Sequence, residues 1–112
     1  MKLKELAESL KLQLLNPGVN LGVDVADGYV CDLLSNVIAN APEGSIWITI
    51  QRHSNIVAVA VLKNLAGIIL TQGIHPEKKA LNKAVEEKVP LFSTPDNSFE
   101  VAGKMYQMLL SK

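Results

Sequence analysis

The sequence feature that most constrains the fold is an alternation of apolar, strand-like runs with helix-like segments. Strand-like runs lie at residues 45–50, 67–71 and 89–93, and each is followed by a segment of helical character. Strands that alternate with helices in this way form right-handed βαβ crossovers, whose strands run parallel. The sequence therefore predicts an α/β fold of three layers, in which a small, mainly parallel sheet is flanked by helices.

We expect a single domain over residues 1–112, with an N-terminal helix and turn at residues 1–20 and the core at residues 21–110. Apolar side chains recur at helical spacing from Leu3 to Leu10, and a strand at residues 12–15 ends at an Asn-Pro-Gly turn signal. The further predicted elements are a strand and turn over residues 19–30, a helix capped by Asp32, a helix from His75 with Pro76 in its first turn, and a final helix whose capping box is Asn97 and Glu100.

Residues 56–61 are apolar without a break and are compatible with either a buried strand or a helix. We interpret them as part of a helix over residues 56–65, because Ser54 and Asn55 are good N-cap residues and the apolar run continues. A helix that is apolar on nearly all sides must be covered on both faces. We therefore predict a surplus of exposed apolar surface that makes the chain a homodimer or higher oligomer, with a contribution from Val101, Met105 and Met108.

Charge and composition argue against several classes of protein. Eleven basic residues balance eleven acidic ones, so no net charge attracts the chain to nucleic acid or to an anionic membrane. The apolar run at residues 56–70 is interrupted by Lys63 and Asn64 and is too short to cross a bilayer. The first residues lack the apolar core of a signal peptide. These observations predict a soluble cytoplasmic domain.

The sequence contains no motif of a common catalytic chemistry. It has neither a P-loop nor the Gly-x-Gly-x-x-Gly string of a dinucleotide site. Cys31 is the only cysteine, and the two histidines, His53 and His75, have no partners at the spacing of metal ligands. We therefore expect no metal, no cofactor and no kinase activity. A binding module agrees better with the sequence than an enzyme does.

Each strand after the first third of the chain is followed by polar residues. In open α/β sheets ligands bind beyond the carboxyl ends of the strands, where the following helices also direct their N–H groups. Hydroxyls, amides and histidines there suit a small anionic or nucleotide-like ligand, although the same residue types also cap helices and close turns. The candidate ligand-binding residues are Gln51, His53, Thr71, Gly73, Ser93 and Thr94, with Asp27 and Gly28 at the edge of the site. Because Asp27 would repel free phosphate, a ligand that carries a ribose or a base is favoured.

Three ordered segments of the chain resemble the DRTGG domain family. They read DVADG at residues 24–28, GIILTQG at residues 67–73 and PLFSTP at residues 90–95. Only Asp24 and Gly28 match the motif that names the family, because Ala26 and Asp27 stand where the family has a threonine and a glycine. Domains of this family resemble the N-terminal, non-kinase domain of HPr kinase/phosphorylase. The resemblance implies a regulatory or ligand-sensing module, often dimeric.

Two functions are compatible with these features. The first is a non-catalytic regulatory module that binds a small anionic or nucleotide-like ligand, or a partner subunit. The alternative is a small phosphocarrier or transferase-like protein in which His53 or His75 takes a phosphoryl group. That role would require an exposed ring nitrogen beside helix N–H groups.

Overall fold

The structure is a computed structural model that describes residues 1–111, which form five strands and five helices. The strands are β1 (Gln13–Leu14), β2 (Asp27–Val30), β3 (Ser45–Thr49), β4 (Gly67–Leu70) and β5 (Leu91–Ser93). The helices are α1 (Leu3–Ser9), α2 (Leu34–Asn40), α3 (Asn55–Leu62), α4 (Lys78–Glu87) and α5 (Ser98–Leu110).

One sheet joins the five strands in the order β1-β5-β4-β3-β2. The strands β2 to β5 run parallel, and β1 pairs antiparallel with β5 at the outer edge. In this register Trp47 of β3 lies between Tyr29 of β2 and Ile68 of β4. The structure confirms the predicted α/β fold, with a small, mainly parallel sheet flanked by helices.

Both faces of the sheet are covered by helices, and a hydrophobic core fills each side. On one side α1 and α5 pack against the sheet, with Leu6, Met105 and Phe92 in the core. On the other side α2, α3 and α4 cover Trp47 and Ile68. All residues of β3 and β4 are buried, as expected for parallel strands that have helices on both faces. The helix of the first twenty residues therefore packs into the same core as the later elements.

The ambiguous apolar run is a helix, as predicted. Its start is not capped by the Ser54 side chain; instead the Nδ1 atom of His53 accepts a hydrogen bond from the backbone N–H of Asn55 at 3.2 Å. The predicted capping box of α5 is confirmed, because Asn97 and Glu100 each accept a hydrogen bond from the other's backbone N–H.

Two predicted helix starts are wrong. Asp32 does not cap α2, whose N-cap is Leu33. The Asp32 carboxylate instead accepts hydrogen bonds from the Thr49 hydroxyl at 2.8 Å and the Ile50 N–H at 3.0 Å, and so binds the end of β3. The helix expected from His75 begins only at Lys78, because the residues before it form a loop that contacts the segment after β3.

The expected contribution of α5 to an exposed apolar patch is also wrong for two of its three residues. Val101 is 1% exposed and Met105 is 2% exposed, because both side chains pack into the core between α5 and the sheet. Met108 is partly buried against the same core. These three side chains are therefore wholly or partly covered within one chain, whereas Phe99, Tyr106 and Leu110 of the same helix are exposed.

A buried asparagine joins the turn after β1 to the rest of the fold. The Asn16 side chain is 1% exposed. Its Nδ2 group donates to the carbonyl oxygens of Ala84 at 3.2 Å and Val89 at 2.7 Å, and its Oδ1 atom accepts from the Leu91 N–H at 2.9 Å. This one side chain therefore connects the N-terminal segment to the end of α4 and the start of β5.

Among residues 1–111, no helix has both the length and the apolar character that crossing a membrane requires.

Candidate functional site

The loops that follow β4 and β5 lie in contact at the carboxyl edge of the sheet, meaning the edge at which the parallel strands end. The backbone N–H groups of Gln72 and Gly73 donate to the carbonyl oxygens of Asp96 at 2.8 Å and Thr94 at 2.9 Å. Both Gln72 and Gly73 have positive φ angles, near +60°, and this conformation turns the chain back toward the loop after β5. These two N–H groups are therefore used within the protein and are not free to bind an anion.

The three predicted hydroxyl residues are brought together at this edge, but their side chains are buried. The Thr71 and Ser98 hydroxyls are hydrogen bonded at 2.7 Å, and the Thr94 hydroxyl accepts from the Asp96 N–H at 3.2 Å. The Ser93 hydroxyl donates to the side-chain oxygen of Gln13 at 3.4 Å. These contacts join the ends of β4 and β5 to the N-terminus of α5 and to β1. In this conformation the hydroxyls serve the fold, and a ligand would have to displace their partners.

Gln51 and His53 follow β3 at the same edge and are more accessible. The Gln51 side-chain amide donates to the Asp32 carbonyl oxygen at 2.9 Å. The exposed His53 ring uses Nδ1 to accept the Asn55 N–H, so Nε2 is its remaining ring nitrogen. Both residues therefore have a structural contact and also a group that a ligand could reach.

Asp27 and Gly28 do not lie at the carboxyl edge. They are the first residues of β2 and pair with Ser45 and Ile46, the first residues of β3, so they lie where the parallel strands begin. A Cβ atom on Gly28 would meet the terminal methyl of Met105, so this glycine leaves room for the Met105 side chain of α5 against β2. The prediction that these two residues border the strand-end site is wrong, because the strand in this region begins at Asp27 instead of ending there.

Sequence reasoning missed Arg52 as a member of the site. Its Nε group donates to the His75 carbonyl oxygen at 2.7 Å, and its own carbonyl oxygen accepts from the Glu77 N–H at 3.0 Å. These bonds hold the loop after β3 against the loop that leads into α4. Arg52 is the only arginine in the sequence, and both histidines lie within the two joined loops. The sequence shows that Arg52 is next to His53, but only the fold shows that His75 is also close to them.

The first turn of α4 adds positive potential beside Arg52. Its N-cap, the half-buried Glu77, makes no capping hydrogen bond with its side chain. The N–H groups at a helix start carry partial positive charge and attract anions. We define the basic edge as Arg52, His53, His75, Lys78 and Lys79, all of which are exposed.

Two other clefts in the described part of the chain have less suitable chemistry for an anion. A cleft of about 300 Å³ at the opposite edge of the sheet is lined by Asp24 and Glu43 as well as by Lys88. A smaller cleft of about 140 Å³ between α5 and β2 is mainly apolar and includes Asp27. Within residues 1–111, no three histidine, cysteine or acidic side chains are grouped as a metal ion would require.

Comparison with known proteins identifies the family. A search of the curated proteins finds no match to this chain. Among solved structures, the chain is similar to the CBS and DRTGG domains of the regulatory region of Clostridium perfringens pyrophosphatase, a structure complexed with the activator diadenosine tetraphosphate. The TM-score is 0.72 at 20% sequence identity, and the match covers 91% of this chain but only 44% of that chain. This likeness shows the fold. The family model described as DRTGG domain matches residues 5–108, which is nearly the entire sequence, and the chain therefore belongs to the DRTGG domain family.

Proposed function

We propose that this chain is a non-catalytic regulatory module that binds a small anionic, nucleotide-like ligand at the basic edge. The observation that carries the proposal is the position of the only arginine and both histidines of the chain in two loops joined by hydrogen bonds. Arg52 reaches this position because the loop after β3 contacts the loop before α4.

The chemistry of these groups matches a phosphate-bearing ligand. Because one Arg52 N–H group holds the His75 carbonyl, the guanidinium is oriented before a ligand arrives and retains further donors. The start of α4 and two lysines provide additional positive potential. Asp27 lies at the other edge of the sheet, so its carboxylate does not repel a phosphate at the basic edge, where Glu77 is the neighbouring acidic residue.

The comparison supports a regulatory role at the level of the family. The similar solved protein is described as a regulatory region complexed with a nucleotide activator, and this chain matches less than half of that solved chain. We therefore propose that the domain reports ligand binding to a partner subunit or to other domains. No residue assignment is transferred from that protein.

The phosphocarrier alternative is less well supported by the geometry at His53. The first N–H groups of α3 are already bonded, to the His53 ring and to the carbonyl oxygens of His53 and Ser54. A phosphoryl group on this ring would therefore lack free N–H donors from that helix. The regulatory proposal needs no such donors at His53.

Chemical-shift mapping tests the proposed function. ¹⁵N-labelled protein is titrated with AMP, ATP, diadenosine tetraphosphate and inorganic phosphate. We expect saturable shifts in residues 51–53 and 72–79 with at least one nucleotide. The Arg52→Gln variant should bind at least about tenfold more weakly, because a hydrogen bond to a charged group contributes about 1.5–3 kcal/mol.

Lys4→Gln is the matched control, because it removes one positive charge from an exposed position on α1, in the opposite helix layer. Its affinity should equal that of the unmodified chain. Shifts confined to the cleft between α5 and β2 or to the opposite edge would contradict the proposed site. Equal affinity of Arg52→Gln and the unmodified chain would also contradict it.

A further inference from the structure

Strand β2 is an open edge of the sheet, because β3 is its neighbour on one side and no described strand pairs with it on the other. Successive residues of a strand direct their backbone N–H and C=O groups alternately to the two sides. The N–H of Cys31, the residue after β2, donates to the Ile48 carbonyl oxygen of β3 at 3.3 Å. By this alternation Gly28 and Val30 direct their backbone groups away from β3, and Val30 is 53% exposed. An edge of this kind is a template for a further strand.

The first outward-facing donor of this edge is held only by a neighbouring side chain. The Gly28 N–H donates to the Asp27 Oδ1 atom at 2.8 Å. Because Asp27 is exposed, its carboxylate can rotate away when a backbone carbonyl oxygen arrives to take that N–H. The displaced carboxylate would then lie beside the incoming chain, where it attracts a positive charge.

Helix α5 forms the wall of a groove along the same edge. The cleft of about 140 Å³ between α5 and β2 is lined by Gly28 and Val30 on the strand and by Ala102, Met105 and Tyr106 on the helix, among others. A closed apolar cavity of roughly 150 Å³ holds benzene. The cleft therefore has room for one apolar side chain of about that size. Tyr106 is 65% exposed, so most of its ring is available to a bound chain.

The charges at this edge disfavour a second copy of the chain as its occupant. Asp27 begins β2, and Asp32 follows its end. Two identical edges that meet about a two-fold axis run antiparallel, which would bring Asp27 and Asp32 of different copies to neighbouring positions twice. Like charges across a strand pair are destabilising. The lysines of adjoining segments are paired with other acids, Lys2 with Asp24 at 3.2 Å and Lys104 with Asp96 at 3.5 Å. A segment with a basic side chain is the complementary occupant.

We propose that the β2–α5 groove (Asp27, Gly28, Val30, Ala102, Met105 and Tyr106) binds an extended segment of a partner protein, which adds to β2 as a further strand of the sheet. The backbone of the segment bonds to Gly28 and Val30, one apolar side chain enters the cleft, and a basic side chain contacts Asp27. In strand addition, main-chain hydrogen bonds provide affinity and side-chain pockets provide specificity. The groove shares no residue with the basic edge, so the inference goes beyond the proposed ligand and does not depend on it.

Peptide selection supplies the probe for a test. A phage-displayed library of random short peptides is selected on the full chain, and the synthetic consensus peptide is measured by calorimetry. We expect enriched peptides to combine an apolar residue with a nearby lysine or arginine. N-methylation of the peptide nitrogens that face β2 should weaken binding at least about tenfold, whereas N-methylation of the alternate nitrogens should leave the affinity unchanged. A selection without enriched sequences, or equal losses from both methylation patterns, would overturn the proposal.

Two changes in the chain test the edge and the cleft. Val30→Pro removes an outward-facing N–H, and proline is tolerated in an edge strand at such a position, so the domain should fold but lose the consensus peptide. Ala102→Phe should also abolish binding, because the larger side chain fills the cleft. Ala39→Phe makes the same change at an exposed position of α2, in the opposite helix layer, and should leave the affinity unchanged. Binding that is insensitive to both Val30→Pro and Ala102→Phe would contradict the proposed groove.

A charge switch tests the role of Asp27. Asp27→Lys should weaken the consensus peptide about tenfold, and it should bind a peptide whose basic residue is replaced by glutamate more tightly than the unmodified chain does. That gain cannot arise from a loss of stability. Glu86→Lys makes the same charge change on α4, in the opposite helix layer, and should alter neither affinity. Sedimentation equilibrium that shows a homodimer broken by Val30→Pro would overturn the proposal, because a second copy would then occupy the groove.

Discussion

Asn16 provides the sharpest test of how the N-terminal segment is bound to the rest of the domain. Replacement by alanine removes three hydrogen bonds from a buried site. The Ala84 carbonyl retains a hydrogen bond from the Val89 N–H at 3.0 Å. The Val89 carbonyl and the Leu91 N–H lose the partner that Asn16 supplied.

The size of the effect follows from those two groups. An unsatisfied buried polar group costs about 1–3 kcal/mol, so Asn16→Ala should lower the free energy of unfolding by about 4 kcal/mol. That is a large part of the roughly 5–15 kcal/mol that stabilises a typical domain. With a denaturant slope of about 2 kcal/mol per molar urea, the unfolding midpoint should fall by about 2 M. Trp47 is the only tryptophan and is fully buried, so its fluorescence reports the transition.

Asn16→Leu separates the lost hydrogen bonds from a lost volume. Leucine fills a similar space but leaves the same backbone groups without a partner, so it should destabilise the domain nearly as much as alanine. Asn40→Ala is the control, because Asn40 is an exposed asparagine with a single side-chain hydrogen bond within α2. It should change stability by no more than about 0.5 kcal/mol. A leucine variant as stable as the unmodified chain would refute the hydrogen-bond argument.

Three further predictions concern packing, helix capping and chemistry. Gly28→Ala should lower the free energy of unfolding by up to about 1 kcal/mol, because its new methyl meets the flexible end of Met105, which can shift. Gly103→Ala lies on the open side of α5 and should raise the free energy of unfolding by about 0.5–1 kcal/mol, and equal effects of the two changes in urea unfolding would contradict this packing. Asn97→Ala should lower the free energy of unfolding by about 1 kcal/mol, as measured by thermal unfolding, because it removes the cap of α5. Ser54→Ala removes no capping hydrogen bond and should change the free energy of unfolding little. Incubation with ATP or other phosphodonors should produce neither phosphate release nor the added mass of a phosphoryl group on either histidine. Phosphate release or phosphorylation that follows the protein through purification would contradict the non-catalytic proposal.

The order and type of most elements could be predicted from the sequence because their signals are local. Alternating strand-like and helix-like segments indicated a parallel sheet, and the Asn97–Glu100 spacing located the start of α5. The same local signals failed at Asp32. An aspartate before an apolar run can cap a helix, but here its carboxylate binds the end of β3, seventeen residues later in the chain. Local propensity cannot anticipate a competing partner that only the sheet register brings near.

The candidate site was predictable as an edge of the sheet but not as a set of side chains. Polar residues after β3, β4 and β5 meet at the carboxyl edge, because parallel neighbours place their ends side by side. Asp27 and Gly28 were assigned to that edge wrongly, since the position of β2 along its neighbour depends on pairing rather than composition.

The sequence by itself determined the helix and strand periods, the balanced charge and the presence of one arginine and two histidines. These depend on residue types and their spacing. Only the tertiary structure decided that Arg52 and His75 are joined, that Thr71 and Thr94 are buried, and that one face of α3 stays exposed. The physical reason is that burial and hydrogen-bond partners are properties of contacts between distant segments. Several side chains compete for each contact, and only the packed fold selects among them.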